Sequence, residues 1–131
     1  MNTERVEQLI HDLLIELGED PDREGLRRTP ARVAEAWKFL TQGYRADKSK
    51  VINEAIFRSE ANNMVIARDI EVYSLCEHHM LPFFGRCHIG YIARDSVIGV
   101  SKLARIVDFY GRRLQIQERL TAQIAREIMD T

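Results

Sequence analysis

Two runs rich in β-branched residues, MVIARDIEVYSL over 64–75 and FFGRCHIGYIA over 83–93, are joined by only seven residues, CEHHMLP. So short a connection cannot carry a crossover, which leaves an antiparallel hairpin as the pairing. Alternation in the first run puts Ile66, Arg68, Ile70 and Val72 on one face and Asp69, Glu71 and Tyr73 on the other. Amphipathic helical patterns lie on both sides of this hairpin. Over 2–17, Val6, Leu9, Ile10, Leu13, Leu14 and Leu17 recur three and four apart, with Thr3 and Gly18 suited to the ends. Thr29-Pro30 reads as an N-cap followed by proline at the first helical position, with a stripe of Val33, Ala36, Trp37 and Leu40 and a left-handed Gly43 near the end. Residues 44–63 read as irregular, with one helical turn around 52–57. After the hairpin, Ser101 suits the cap of a helix that turns Leu103, Ile106, Val107 and Tyr110 inward and that Gly111 weakens. A last helix starts near Gln115 with Leu120, Ile124 and Ile128 on one stripe. The order helices, hairpin, helices predicts an α+β fold.

The 131 residues suffice for one domain-sized core. Nineteen basic residues nearly cancel twenty acidic ones, so the net charge of −1 exerts no broad pull on nucleic acid or anionic lipid. No stretch reaches the length of a membrane span, and the acidic, amphipathic start is unlike a secretory signal, so the chain is predicted to be cytoplasmic. The final helical stripe is still running at Thr131 and a two-stranded ribbon is marginal in water, which predicts that the sheet needs further strands.

The junction holds the chemistry. Cys76, Glu77, His78 and His79 offer a thiolate, a carboxylate and two imidazoles, donors that zinc prefers. Ligands three apart in a turn can converge on one ion whereas adjacent histidines diverge, so ligation by Cys76 and His79 would release His78 as an acid or base near neutral pH. The same residues also fit a small buried cysteine beside solvated histidines, or half of a structural zinc site. Cys87, inside the second run, reads as core, and His11 has no assigned role. Ser101, Lys102 and Arg105 lie in the first turns of a helix, where free amides and the helix dipole favour an anion such as a polyphosphate. A capped helix with two solvated cations explains them as well. Gln117 and Glu118 open the last helix; a first-turn surface acid is the ordinary reading there, and a buried glutamate would match the two-donor edge of guanine. Arg112, Arg113 and Arg119 read as solvated or paired.

Together, GEDPDREGLRRTPARVAEAW, YSLCEHHMLPFFGRCHIGYI and VIGVSKLARIVDFYGRRLQIQERLTAQI closely resemble the GTP cyclohydrolase I family from Gly18 onward. The resemblance implies a tunnelling fold, a four-stranded antiparallel sheet with two helices packed on it, and a toroidal homodecamer. It divides the chain into an N-terminal helical segment, 1–62, and a partial catalytic module, 63–131, acting as one functional unit. It implies zinc-dependent hydrolysis of GTP to formate and 7,8-dihydroneopterin triphosphate, the entry to tetrahydrofolate and pterin biosynthesis. Position by position, Cys76 and His79 match zinc ligands and His78 the catalytic histidine. Ser101, Lys102 and Arg105 match residues along the ribose and triphosphate, Gln117 and Glu118 the guanine-recognition pair, and Arg32 a phosphate-side arginine, while Glu35 stands where some members carry lysine. Family members continue past the position of Thr131 with two strands bearing a third zinc ligand, a cysteine, a second active-site histidine and another phosphate-binding arginine. The rival reading is a shortened, non-catalytic relative that binds zinc or nucleotide or joins a complete partner through its sheet edge.

Overall fold

The computed structural model describes residues 1–52, 55–60 and 63–131. It is α+β and falls into two compact units, Met1–Thr41 and Gln42–Thr131. In the first unit, helix α1 (Thr3–Glu16) packs against helix α2 (Thr29–Leu40). Asn2 rather than Thr3 caps α1, its side chain accepting from the Arg5 amide at 3.0 Å. Gly18 ends the helix at φ 85°, with the Glu19 amide reaching Leu14 O and the Gly18 amide reaching Ile15 O, the paired bonds of a Schellman stop. Arg28 is the α2 cap position and Thr29 is already helical. The buried residue of α2 is Ala34, beside the half-buried Val33, Trp37 and Leu40; Ala36 faces out.

The second unit holds the sheet. Its long strands, β2 (Met64–Cys76) and β3 (Pro82–Ile92), form the expected antiparallel hairpin. The strict alternation does not hold. Ala67 faces Ile89 while Ile70 faces Cys87, so β2 carries one extra residue at Arg68 and Asp69, and Asp69 adopts φ 60°. Val65 and Ala67 turn inward before this bulge, and Ile70, Val72 and Ser74 after it, leaving Ile66 and Arg68 exposed. His88 Nδ1 accepts from the Asp69 amide at 3.1 Å and occupies the donor that the bulge removes from the ladder.

The stretch expected to be irregular contains a 3-10 turn (Gln42–Tyr44), a short helix α3 (Lys48–Ile52) and strand β1 (Ile56–Arg58). The helical turn expected around 52–57 lies partly outside the described residues, and its last two positions are in β1. Strand β1 pairs antiparallel with β4 (Ser96–Ile98), and β5 (Leu114–Gln115) pairs parallel with Leu75 and Cys76 at the end of β2. Gly43 is not left-handed. A Cβ there would run into the Phe109 carbonyl oxygen and sit 2.8 Å from that of Arg112, to which the Gly43 amide donates at 3.0 Å. Glycine is needed for backbone contact with the end of helix α4 (Val100–Gly111).

Leu103, Ile106 and Val107 of α4 and Leu120 and Ile124 of helix α5 (Gln117–Asp130) close on Ala67, Val72 and Ile89 of the sheet. Ser101 is not the α4 cap: Gly99 holds that position, with no side-chain cap bond. No helix among the described residues is long and apolar enough to cross a membrane.

Candidate functional site

Cys76 ends β2, and the chain reverses at once. The Met80 amide donates to Cys76 O and the Cys76 amide to Leu81 O, each at 2.8 Å, while Met80 takes φ 59° to complete the loop into β3. This closed loop turns the donors of Cys76 and His79 toward each other. Cys76 Sγ lies 3.5 Å from His79 Nδ1 and 3.8 Å from His78 Nδ1. The hydrogen bond from His79, aided by the amides of the loop, holds the Cys76 thiol down at about 7, so a large thiolate fraction exists at neutral pH.

Bond lengths of about 2.3 Å for Zn–S and about 2.0 Å for Zn–N at a tetrahedral angle put the two donor atoms about 3.5 Å apart. The observed separation of Sγ and Nδ1 matches, so Cys76 and His79 fit as two ligands of one ion. No group of three Cys, His, Asp or Glu side chains among the described residues surrounds a common point. The His78 side chain is 65% exposed, with its ring edge-to-face with His79 at 6.2 Å between centroids. Cys87 packs against the core as expected, and burial pushes its thiol up.

A network that sequence patterning left unassigned holds the loop from behind. Arg119, in the first turn of α5, donates to Glu77 Oε2, to Leu114 O at 3.0 Å and through Nε to Gln115 Oε1 at 3.0 Å. Gln115, 1% exposed, donates from its amide nitrogen to Tyr110 O and Gln123 Oε1, and its own carbonyl accepts from the Glu77 amide at 3.0 Å. The partner of Arg119 lies 42 residues away, beyond the reach of helical spacing, so no local pattern marks the pair.

Gln117 and Glu118 are exposed on the same first turn of α5, so the loop and the expected base-recognition end share one anchor. Ser101 and Arg105 are exposed near the start of α4, whereas Lys102 is 7% exposed. Arg105 lines a cavity of about 630 Å3 with Arg45, Lys50 and Asp108. The opposite end of α4 meets β2: the backbone of Gly111 packs against Tyr73 O, and the Leu75 amide donates to Arg113 O. About 15 Å of helix separates Ser101 from that end. A ligand touching both places is elongated. Arg32 is exposed on α2 in the first unit.

A family model described as GTP cyclohydrolase I matches residues 6–131. The chain is similar to the GTP cyclohydrolase 1 of Leptospira biflexa, 56% identical over 126 residues, 96% of this chain and 69% of that protein. It is also similar to that of Alkalilimnicola ehrlichii, 60% identical over 123 residues (94% and 66%), and that of Deinococcus radiodurans, 55% identical over 124 residues (95% and 57%). It thus spans between 57% and 69% of the length of these three relatives.

Proposed function

The chain belongs to the GTP cyclohydrolase I family, and on that premise we propose that it carries the metal-binding and nucleotide-binding face of an enzyme that hydrolyses GTP to formate and 7,8-dihydroneopterin triphosphate. The observation that carries this reading is the loop after β2, where Cys76 and His79 face each other at the spacing of two zinc ligands and leave His78 exposed beside them.

Cys76 and His79 are the proposed zinc ligands; the family resemblance implies a third, a cysteine that family members carry past the position of Thr131. Zinc bound there would polarise a water for attack on C8 of the guanine ring. His78, free of the metal, moves the proton to the ring nitrogen as the imidazole opens. The Glu118 carboxylate accepts from the two donors of the guanine edge, with Gln117 beside it. Ser101, Lys102 and Arg105 take the ribose and triphosphate, using the free amides at the start of α4 together with the cationic side chains; on the family resemblance alone, Arg32 is a phosphate-side arginine. An elongated nucleotide suits the length of α4 between this end and the loop. The family resemblance extends the reading to a homodecamer, a cytoplasmic location and the first step of tetrahydrofolate biosynthesis.

The test is formate release and pterin absorbance on incubation with GTP and zinc, together with bound metal by elemental analysis. His79→Ala is expected to abolish both metal and turnover. His78→Ala should keep the metal while turnover falls by about 10²–10⁴-fold. Turnover that survives His78→Ala unchanged, or metal content indifferent to the loss of Cys76 and His79, overturns the assignment.

A further inference from the structure

We infer that Arg119 is a positioning residue for the metal-binding loop, acting through Glu77, and that it sets the loop against the first turn of α5. The inference rests on the proposed metal site and assigns a role that charge patterning left blank. Three of its bonds reach three different places: the Glu77 carboxylate in the loop, the Leu114 carbonyl in β5 and the side chain of the buried Gln115. Gln115 in turn ties Tyr110 at the end of α4 and Gln123 in α5, and accepts the Glu77 amide. Glu77 is thereby held by both its backbone and its side chain, between the two residues whose donor atoms must meet at one ion.

A partly exposed ion pair contributes little stability, and Glu77 and Arg119, at 31% and 41% side-chain exposure, form such a pair. Its effect is geometric. Cys76 is fixed by β2, but His79 sits in the turn, and its imidazole reaches the thiolate only while the backbone at Glu77 keeps its orientation. A guanidinium suits this task because its planar fork serves several acceptors at once, and an ammonium offers no such fork. Groups that orient ligands from behind in this way change metal affinity when removed, by roughly 10–100-fold. Arg119 also follows Gln117 and Glu118 directly, so the residue that steadies the loop is part of the helical turn proposed to hold the base.

Cobalt(II) titration of the intact chain tests this, read by thiolate-to-metal absorption and by competition with a chelator, with circular dichroism and melting as folding controls. The wild-type chain is expected to bind with a thiolate band. Arg119→Ala should weaken binding at least tenfold, Arg119→Lys should recover only part of the loss, and Glu77→Gln should weaken binding less than Arg119→Ala. Because the two residues act as one contact, the double variant should lose less than the product of the single losses. Wild-type affinity in Arg119→Ala, full recovery by Arg119→Lys, or single losses that simply multiply in the double variant would overturn the inference while leaving the metal site standing. A wild-type chain that binds no cobalt would remove the metal site, and the inference with it.

Discussion

At the residue scale, the thiol of Cys76 and the thiol of Cys87 are chemically opposite. The bond from His79 lowers the first to about 7, and burial raises the second. Cys76 is therefore expected to be alkylated by iodoacetamide far faster than Cys87 in metal-free protein, with a rate that rises to half its plateau near pH 7. His79→Ala should shift that midpoint upward, toward the ordinary thiol value of 9.0. Mass spectrometry after timed quenching reads both sites at once; equal rates at the two cysteines would contradict the placement. These residues were legible in the sequence because their chemistry sits within four consecutive positions. Arg119 was not, because its meaning depends on Glu77 and Gln115 coming together through the fold.

At the element scale, periodicity announces the hairpin and the four long helices among the described residues but not every buried face: α4 and α5 bury residues of the stripes their patterns mark, whereas α1 has no buried residue, with Val6, Ile10 and Leu14 half-buried and Leu9, Leu13 and Leu17 exposed. What patterning missed has a common cause. Strands β1, β4 and β5 are two or three residues long, too short to show a period, and form only because a partner edge is present. The caps lie one residue before the expected position at α1 and α2 and two before it at α4; at α1, Asn2 and Thr3 are both good caps and the local backbone chooses between them. Gly43 stands where a helix stop would, but its role is to let two backbones touch. Gly43→Ala is accordingly expected to destabilise the second unit by about 1–3 kcal/mol, through forced separation of the 3-10 turn from the end of α4. A lowered midpoint in urea with an unchanged slope would show it, and an unaltered midpoint would refute the close-approach argument.

At the scale of the whole molecule, one carboxylate ties three helices together. Glu127 of α5 accepts from Tyr110 of α4 at 2.6 Å and pairs with Lys48 of α3 at 2.8 Å. Burial pushes its carboxyl up, but these two donors outweigh burial and leave it below the usual 4.5. A carboxyl lowered by folding stabilises the native state above its unfolded pKa, and that contribution fades as pH falls through the folded value. Stability measured by denaturant should thus drop from about pH 4.5 downward, and Glu127→Gln should flatten that acid limb while lowering stability at neutral pH. An acid limb identical in the two proteins would count against the tie. The bulge at Asp69 has a consequence of the same reach. With two residues opposite one, β2 is in effect read in two frames, odd positions inward up to Ala67 and even positions inward from Ile70. Removing a single residue there would merge the frames into one unbroken alternation, with Ala67 and Ile70 two apart and both still inward; closing the ladder with the extra residue kept would instead turn the first third of the strand inside out, bringing Ile66 indoors and expelling Ala67.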